Sequence, residues 1–414
     1  VVPHVVFGGK NPHPHYVLGG MPCSISMEDG NAPINAARLA IVDRSINQAR
    51  HMMNDYYLPD VLAIGHLYVQ KGYTSGGGLA KKRVLAFGMF PEEPFSGASN
   101  GDFFKNLLVR CNGVVEDFAA GVMNAKVYDF TEKDLTDADG VAESVEHGWY
   151  EYKGGDDKAL HPWEGETTPH YTEPKEGTKT EWKALNEEGK YSWLKTPKWR
   201  GKLCEVGPLA RYIVLYTKAK QGLLGELTWA EKMIVDQIDA VTKLLNVPVE
   251  AWLPSTVGRT AARALDAQLQ AEVSKYFFDK LVANIKSGDT KVANTEKWEP
   301  STWPKEAKGV GLYEAPRGAL SHWAVIKDGK IANYQAVVPT TWNACPRDDA
   351  EGHGAYEMSM MDTPVKVADK PLEIVKAVRS FDPCMACSTH LFNAKGEKIR
   401  VVTTDPYAGV RVDK

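Results

Sequence analysis

Apolar residues recur at helical spacing in three stretches of the chain. From Pro33 onward Leu39, Val42, Ile46, Ala49 and Met53 follow one another at three- and four-residue steps. That spacing predicts a helix with one buried stripe, capped by Asn31 and ending before Pro59. Leu227 to Leu245 predicts a second helix, stopped before Pro248. Between Thr260 and about Ile285 the series Leu265, Leu269, Val273, Phe277 and Leu281 predicts a third. The period changes after residue 309. Val310 and Leu312, then Trp323, Val325 and Ile326, then Ile331 to Val338 read as extended runs. Asp328-Gly329 between the last two predicts a β-hairpin, because that dipeptide accepts the positive φ angles of a tight turn.

The intervening sequence is read from its glycines, prolines and aromatics. Residues 1–30 carry Gly8-Gly9, Pro12, Pro14 and Gly19-Gly20 and predict tight loops. Residues 60–150 are mixed. Gly76-Gly77-Gly78 predicts either a mobile loop or a close backbone approach, and no strand–glycine–helix context supports a phosphate loop. Residues 151–200 are rich in Gly, Pro, Trp, Tyr and charge, which predicts irregular structure packed by aromatics, since disordered segments are poor in them. The class expected is α+β, predominantly helical.

Composition narrows the function classes. The 414 residues suffice for two to three domains' worth of core, and 43% apolar with 25% charged residues is ordinary for a globular chain. A net charge of −4 gives no nucleic-acid or anionic-membrane footprint. No apolar run reaches the ~18 residues of a membrane-spanning helix. No secretory signal is visible, and the opening Val-Val-Pro-His-Val-Val-Phe reads as structured sequence, so residues are expected to precede Val1.

Chemistry concentrates near residue 384. Of six cysteines only Cys384 and Cys387 form a local pair, in Asp382-Pro383-Cys384-Met385-Ala386-Cys387-Ser388-Thr389-His390. Cys23, Cys111, Cys204 and Cys345 read as buried small hydrophobes. Two thiolates three positions apart favour zinc, iron–sulfur, copper(I), nickel or iron. A structural zinc site needs two more ligands, and the chain has no second CxxC. A thioredoxin-like role expects the pair at a helix start after a strand. Spacing alone leaves these open.

The flanks carry a resemblance. Asp382-Pro383-Cys384-x-x-Cys387-x-x-His390 resembles the C-terminal signature of the nickel–iron hydrogenase large subunit. His4 to Pro22, Gly148-Trp149-Tyr150, Leu160-His161-Pro162 and Lys195 to Arg211 are similar to further blocks of that family. So are Gly258-Arg259-Thr260-Ala261-Ala262-Arg263, Glu314-Ala315-Pro316-Arg317-Gly318-Ala319-Leu320 and Val338-Pro339-Thr340-Thr341-Trp342-Asn343. The loop and aromatic pattern looks most like membrane-associated, uptake-type enzymes.

The resemblance implies a buried nickel–iron centre held by four thiolates from two CxxC motifs, the iron carrying carbon monoxide and cyanide. Cys384 would be a terminal nickel thiolate and Cys387 a bridging one. Pro316, Arg317 and the Thr340 hydroxyl would face the iron's ligands, whose buried acceptors need donors. Asp382 would fix the Arg317 guanidinium. The implied reaction is H2 ⇌ 2H⁺ + 2e⁻, with Cys384 as proton acceptor and Arg317 first as an electrostatic and orienting group, then as a base. His390 and the backbone carbonyl of Ala336 would hold a magnesium, with Lys195 bonding a magnesium-bound water or else lying on the surface. A maturation protease would cut after His390 and discard Leu391 to Lys414. An iron–sulfur small subunit would take the electrons, and export to the periplasmic side of the cytoplasmic membrane, with any membrane association, would follow the partner.

Where the pattern departs, the family's first CxxC is missing, so the fold is expected to be incomplete at the N-terminus. The organisation expected is a central loop segment at 1–30 and a helical body at 31–308 with an aromatic-rich insertion at 151–200. A β-containing segment with the metal motif follows at 309–390, then a removable extension at 391–414. The competing function is a non-catalytic or maturation-stalled homologue that uses its CxxC for zinc or protein contacts. Competing roles attach to other residues. His13 and His15 pack a turn or meet the partner near its iron–sulfur cluster. Arg259 and Arg263 form structural ion pairs, and His322 is a satisfied core histidine.

Overall fold

The computed structural model describes Ile25 and residues 34–92, 103–156, 158–172, 186, 188–292, 298–384, 388–392, 398–405 and 409–413. Its longer helices are α1 (Ala36–Met52), α2 (Leu58–Gln70), α3 (Pro208–Lys220), α4 (Trp229–Leu245), α5 (Thr256–Lys286), α6 (Pro339–Ala344), α7 (Ala355–Met361) and α8 (Leu372–Ser380). The strands are β1 (Arg83–Ala86), β2 (Met89–Pro91), β3 (Leu107–Val109), β4 (Gly113–Glu116), β5 (Lys126–Tyr128), β6 (Val141–Ser144), β7 (Tyr150–Tyr152), β8 (Thr167–Pro169) and β9 (Thr196–Trp199). They continue with β10 (Glu306–Ala315), β11 (Gly318–Lys327), β12 (Lys330–Val337), β13 (Ser388–Phe392), β14 (Lys398–Asp405) and β15 (Gly409–Asp413). Helices and small sheets therefore share the chain, and it divides into two compact units.

The first unit comprises residues 1–64, 264–307 and 326–330. Ile34 and Leu39 are its buried centre, with Phe278, Leu281 and Ile285 of α5 packed against them. The predicted stripe of α1 is buried only at Leu39 and Val42, while Ala49 is exposed. The cap is Asn35, whose side chain accepts from Arg38 N at 3.0 Å, in place of Asn31. The helix also runs on through Pro59. A π turn at Met53–Tyr57, closed by Leu58 N–H to Met53 O, connects α1 to α2. Proline has no N–H to give, and a widened turn just ahead of it absorbs the lost bond.

The second unit comprises 65–263, 308–325 and 331–414. The core gathers Leu85, Phe130, Trp199, Val206, Trp323 and Trp342, all nearly inaccessible. Antiparallel β1–β4–β5 carries part of it. α4 follows its predicted stripe, burying Ile234, Ile238, Val241 and Leu245 behind a capping box of Thr228 and Glu231. α3 was not legible as a helix, because Pro208 to Lys218 is buried all round and shows no polar face. β10–β11–β12 is a meander whose second turn is the predicted Asp328-Gly329, with φ of 50° and 71°. His322 corrects its expectation: it is exposed and bonds the Tyr334 hydroxyl, while Trp323 beside it points into the core. β13–β14–β15 forms a separate antiparallel sheet.

The first turn of the meander is Pro316-Arg317, and it depends on two glycines. Gly318 has φ +126°, and a Cβ there would lie 2.5 Å from Gly207 N and 2.8 Å from Val206 Cγ2. Gly207 has φ +136°, facing Arg317 O. The backbones meet where a side chain would be. Gly318→Ala should cost about 2–3 kcal/mol, whereas Gly309→Ala on β10, with open space around it, should stay within about 0.5 kcal/mol. Denaturant midpoints of the two variants check this.

Candidate metal centre

Arg317 is presented at the tip of the β10–β11 turn, and the base of that turn is fixed by charge. Arg211 on α3 pairs with Glu314 at 2.6 Å, both side chains at most 2% exposed. Arg211 also donates to Ala315 O. The other Glu314 oxygen accepts from Phe87 N at 2.6 Å. A buried ion pair is tolerable only when its remaining valences are met, and here they are.

The segment that carries Cys384 is anchored from α5. Arg263 donates to Ser380 O at 2.7 Å. Arg259 grips Glu205 in a fork, at 2.7 and 2.8 Å, and donates to the carbonyls of Gly76 at 2.6 Å and Gly77 at 2.9 Å. Its guanidinium lies 3.8 Å over the ring of Phe381. The glycine triplet is thus a close approach: a Cβ on Gly77 would meet Pro254 O at 2.1 Å. The structural ion pair expected of Arg259 is Arg259–Glu205.

Past Phe381 the chain turns at Asp382, whose φ is +55°. Arg317 Nε donates to Asp382 O at 2.6 Å and lies 3.1 Å from Asp382 Oδ2. Neither contact engages Nη1. Cys384 N donates to Thr340 Oγ1 at 3.4 Å. Thr340 is placed by α6, which Asn343 fastens with a reciprocal pair of bonds to Val206 at 3.0 and 2.9 Å. Arg317 and Asp382 therefore meet, and Thr340 meets Cys384 two residues further on, with Pro316 beside Arg317 at the turn.

 Residues distant in sequence meet because α3, α5 and α6 hold the segments that carry them.

Among the described cysteines Cys384 alone is exposed; Cys111, Cys204 and Cys345 are buried. Burial pushes the Cys204 and Cys345 thiols well up, away from the thiolate form a metal needs. Cys387 lies outside the described residues, as do Cys23, His13 and His15. His390 sits on β13 opposite Val401, its side chain outside the described set. Ala336 is on β12, four residues before Thr340.

Beside Ala336 lies a second polar cluster. Lys195, 12% exposed, pairs with Glu143 and donates to Gln335 Oε1 at 2.8 Å, so it is no surface lysine. Burial pushes the Glu143 carboxyl up against the pull of Lys195. Glu143 Oε1 is sealed from solvent with no hydrogen-bond partner among the described residues. A buried acceptor left open in this way fits a cation or its water. Glu205, Arg211 and Glu314 lie within the family-like blocks of the sequence, and Glu143 lies outside them. Paired charges in otherwise apolar blocks were the available signal.

The family model for nickel-dependent hydrogenases matches residues 2–390. The chain belongs to the nickel-dependent hydrogenase family. It is 44% identical over 403 residues to the uptake hydrogenase large subunit of Rhodobacter capsulatus, covering 96% of this chain and 63% of that protein. It is 46% identical over 400 residues to that of Rhizobium leguminosarum bv. viciae, covering 96% and 62%. The nickel–iron–selenium hydrogenase of Desulfomicrobium baculatum superposes with a TM-score of 0.64 at 26% identity, over 92% of this chain and 64% of that one. The chain thus spans just under two-thirds of the length of these relatives.

Removing the Arg259 guanidinium strands a buried carboxylate. Arg259→Met should therefore destabilise the chain by about 3 kcal/mol or more. Adding Glu205→Gln should recover part of that loss, which a double-mutant cycle of unfolding midpoints measures.

Proposed function

We propose that this chain is large-subunit sequence of an uptake-type nickel–iron hydrogenase, interconverting H2 with two protons and two electrons. The convergence of Arg317, Asp382, Thr340 and Cys384 carries the reading. The residues fit one half of the centre. Cys384 and Cys387 would be two of the thiolates that hold it, and the chain has no other CxxC pair. The other two thiolates come from sequence outside these 414 residues.

When bound, the nickel–iron centre, with its carbon monoxide and cyanide ligands, supplies the two-electron couple and the Lewis acidity that polarises H2. The protein's own groups position and move the proton. Cys384 Sγ would accept it. Arg317 is held by Asp382 in a fixed orientation, so its charge is preorganised at no cost during the reaction. Pro316 and the Thr340 hydroxyl would face the bound group. A guanidinium stays protonated in ordinary settings, so Arg317 ranks as a base only second. Ala336 O and His390 would hold a magnesium, and the open Glu143 oxygen beside Lys195 and Gln335 supports a hydrated cation there.

An iron–sulfur small subunit takes the electrons. Exposed Ile41, Met52, Tyr56 and Ile64 on the first unit support an apolar interface of the permanent kind. No described helix is long and apolar enough to cross a membrane. Association with the membrane, on the periplasmic side, runs through partners. Maturation cuts after His390. The family match ends there, and removal of 391–414 takes away β14, the strand that pairs with His390.

In the assembled, metal-loaded complex Arg317→Lys should lower hydrogen oxidation by about 100-fold while nickel and iron contents hold. Near-intact turnover would remove both roles given to Arg317. Zinc in place of nickel and iron, without infrared bands of carbon monoxide and cyanide, would favour the non-catalytic reading. Mass spectrometry of the mature subunit should end the chain at His390; an active, uncut chain contradicts the maturation step.

A further inference from the structure

His147 stands three residues beyond β6 and is 2% exposed. Its Nδ1 lies 2.6 Å from the Gly189 carbonyl and its Nε2 lies 3.1 Å from Asp349 Oδ1. Both neighbours are acceptors. A neutral imidazole carries one proton, so one ring nitrogen would face an acceptor with its lone pair. The carbonyl claims the proton at Nδ1, which directs the lone pair of Nε2 at the carboxylate. Only a second proton or a cation makes that arrangement favourable.

A third acceptor points the same way. Glu146 Oε2 is sealed from solvent and has no hydrogen-bond partner among the described residues. Ligand atoms of Glu146, His147 and Asp349 all lie within 4.8 Å of one another. Ligands about 2.0–2.2 Å from a tetrahedral ion stand roughly 3.3–3.6 Å apart, so small side-chain rotations close the set. Asp349, 65% exposed, is free to make them and leaves an entry path. Arg347 reaches the same Asp349 oxygen at 3.2 Å and also holds Glu188 at 3.2 Å. It is the cation that an incoming metal must displace from Asp349.

The geometry points to a second metal site, formed by Glu146, His147 and Asp349, for a divalent cation of the zinc class with water in the open position. One imidazole and two carboxylates suit zinc; calcium would require six or more oxygens. The carbonyl on Nδ1 is the outer partner that orients a ligating histidine. Bound there, the ion ties the segment after β6 to the loop that follows α6. The site shares no ligand with the nickel–iron centre.

The test is a calorimetric zinc titration of the full chain carrying Cys384→Ser and Cys387→Ser, so that the thiolate pair does not compete. One equivalent should bind. Glu146→Gln and Asp349→Asn, each close in shape to the native residue, should weaken that equivalent at least tenfold. X-ray absorption of the zinc-loaded chain should show nitrogen and oxygen donors without sulfur. No binding to the parent chain, or equal affinity in all three chains, overturns the proposal. Failure of the hydrogenase reading would appear in nickel content and turnover, which this titration does not measure.

Discussion

The arrangement around Cys384 depends on one buried guanidinium. Arg259 is charged and nearly inaccessible, a state that is tolerable only when its donors are matched. Glu205 takes two of its bonds, the carbonyls of Gly76 and Gly77 take others, and the Phe381 ring covers its face. Those partners come from three separated segments. Satisfying one charge therefore brings the glycine triplet, the 205–211 block and the 381–384 segment to the same helix.

From Glu205 the constraint travels to Arg317. Glu205 is joined to β1 through backbone bonds at 2.9 and 3.1 Å, which fixes Val206 and Gly207. Gly318 then approaches Gly207 so closely that it has no room for a side chain, and Gly207 itself holds a φ of +136° that L side chains rarely adopt. The Arg211–Glu314 pair secures the same hairpin one turn further along α3. Arg317 and Asp382 meet because both are referenced to α5, one through Glu205 and the other through Phe381. Their direct pair is half exposed and adds little stability of its own. Its value is orientation.

Packing also sorts the thiols. Burial favours the neutral form of Cys204 and Cys345, while Cys384 stays exposed, its N–H on the Thr340 hydroxyl. The Glu143–Lys195–Gln335 cluster reaches the strand that carries Ala336 through Gln335, with one carboxylate oxygen still unmatched. His147 and Glu146 show the same excess of acceptors elsewhere in the unit.

Local pattern was enough for α4, for α5 and for the Asp328-Gly329 turn, because period and turn chemistry are properties of neighbouring residues. It also paired Arg317 with Asp382 through the resemblance of their motifs. It could not find α3, whose all-round burial erases the polar face that signals a helix. It ended α1 at Pro59, since a π turn that rescues a proline leaves no compositional mark. It left Lys195 undecided between surface and site, and it misplaced His322, because a strand residue's facing depends on which side of the sheet is covered. Which charge meets which, Arg259 with Glu205 and Arg211 with Glu314, was decided only by tertiary structure: a buried ion chooses its partner by desolvation and distance, and sequence separation records neither.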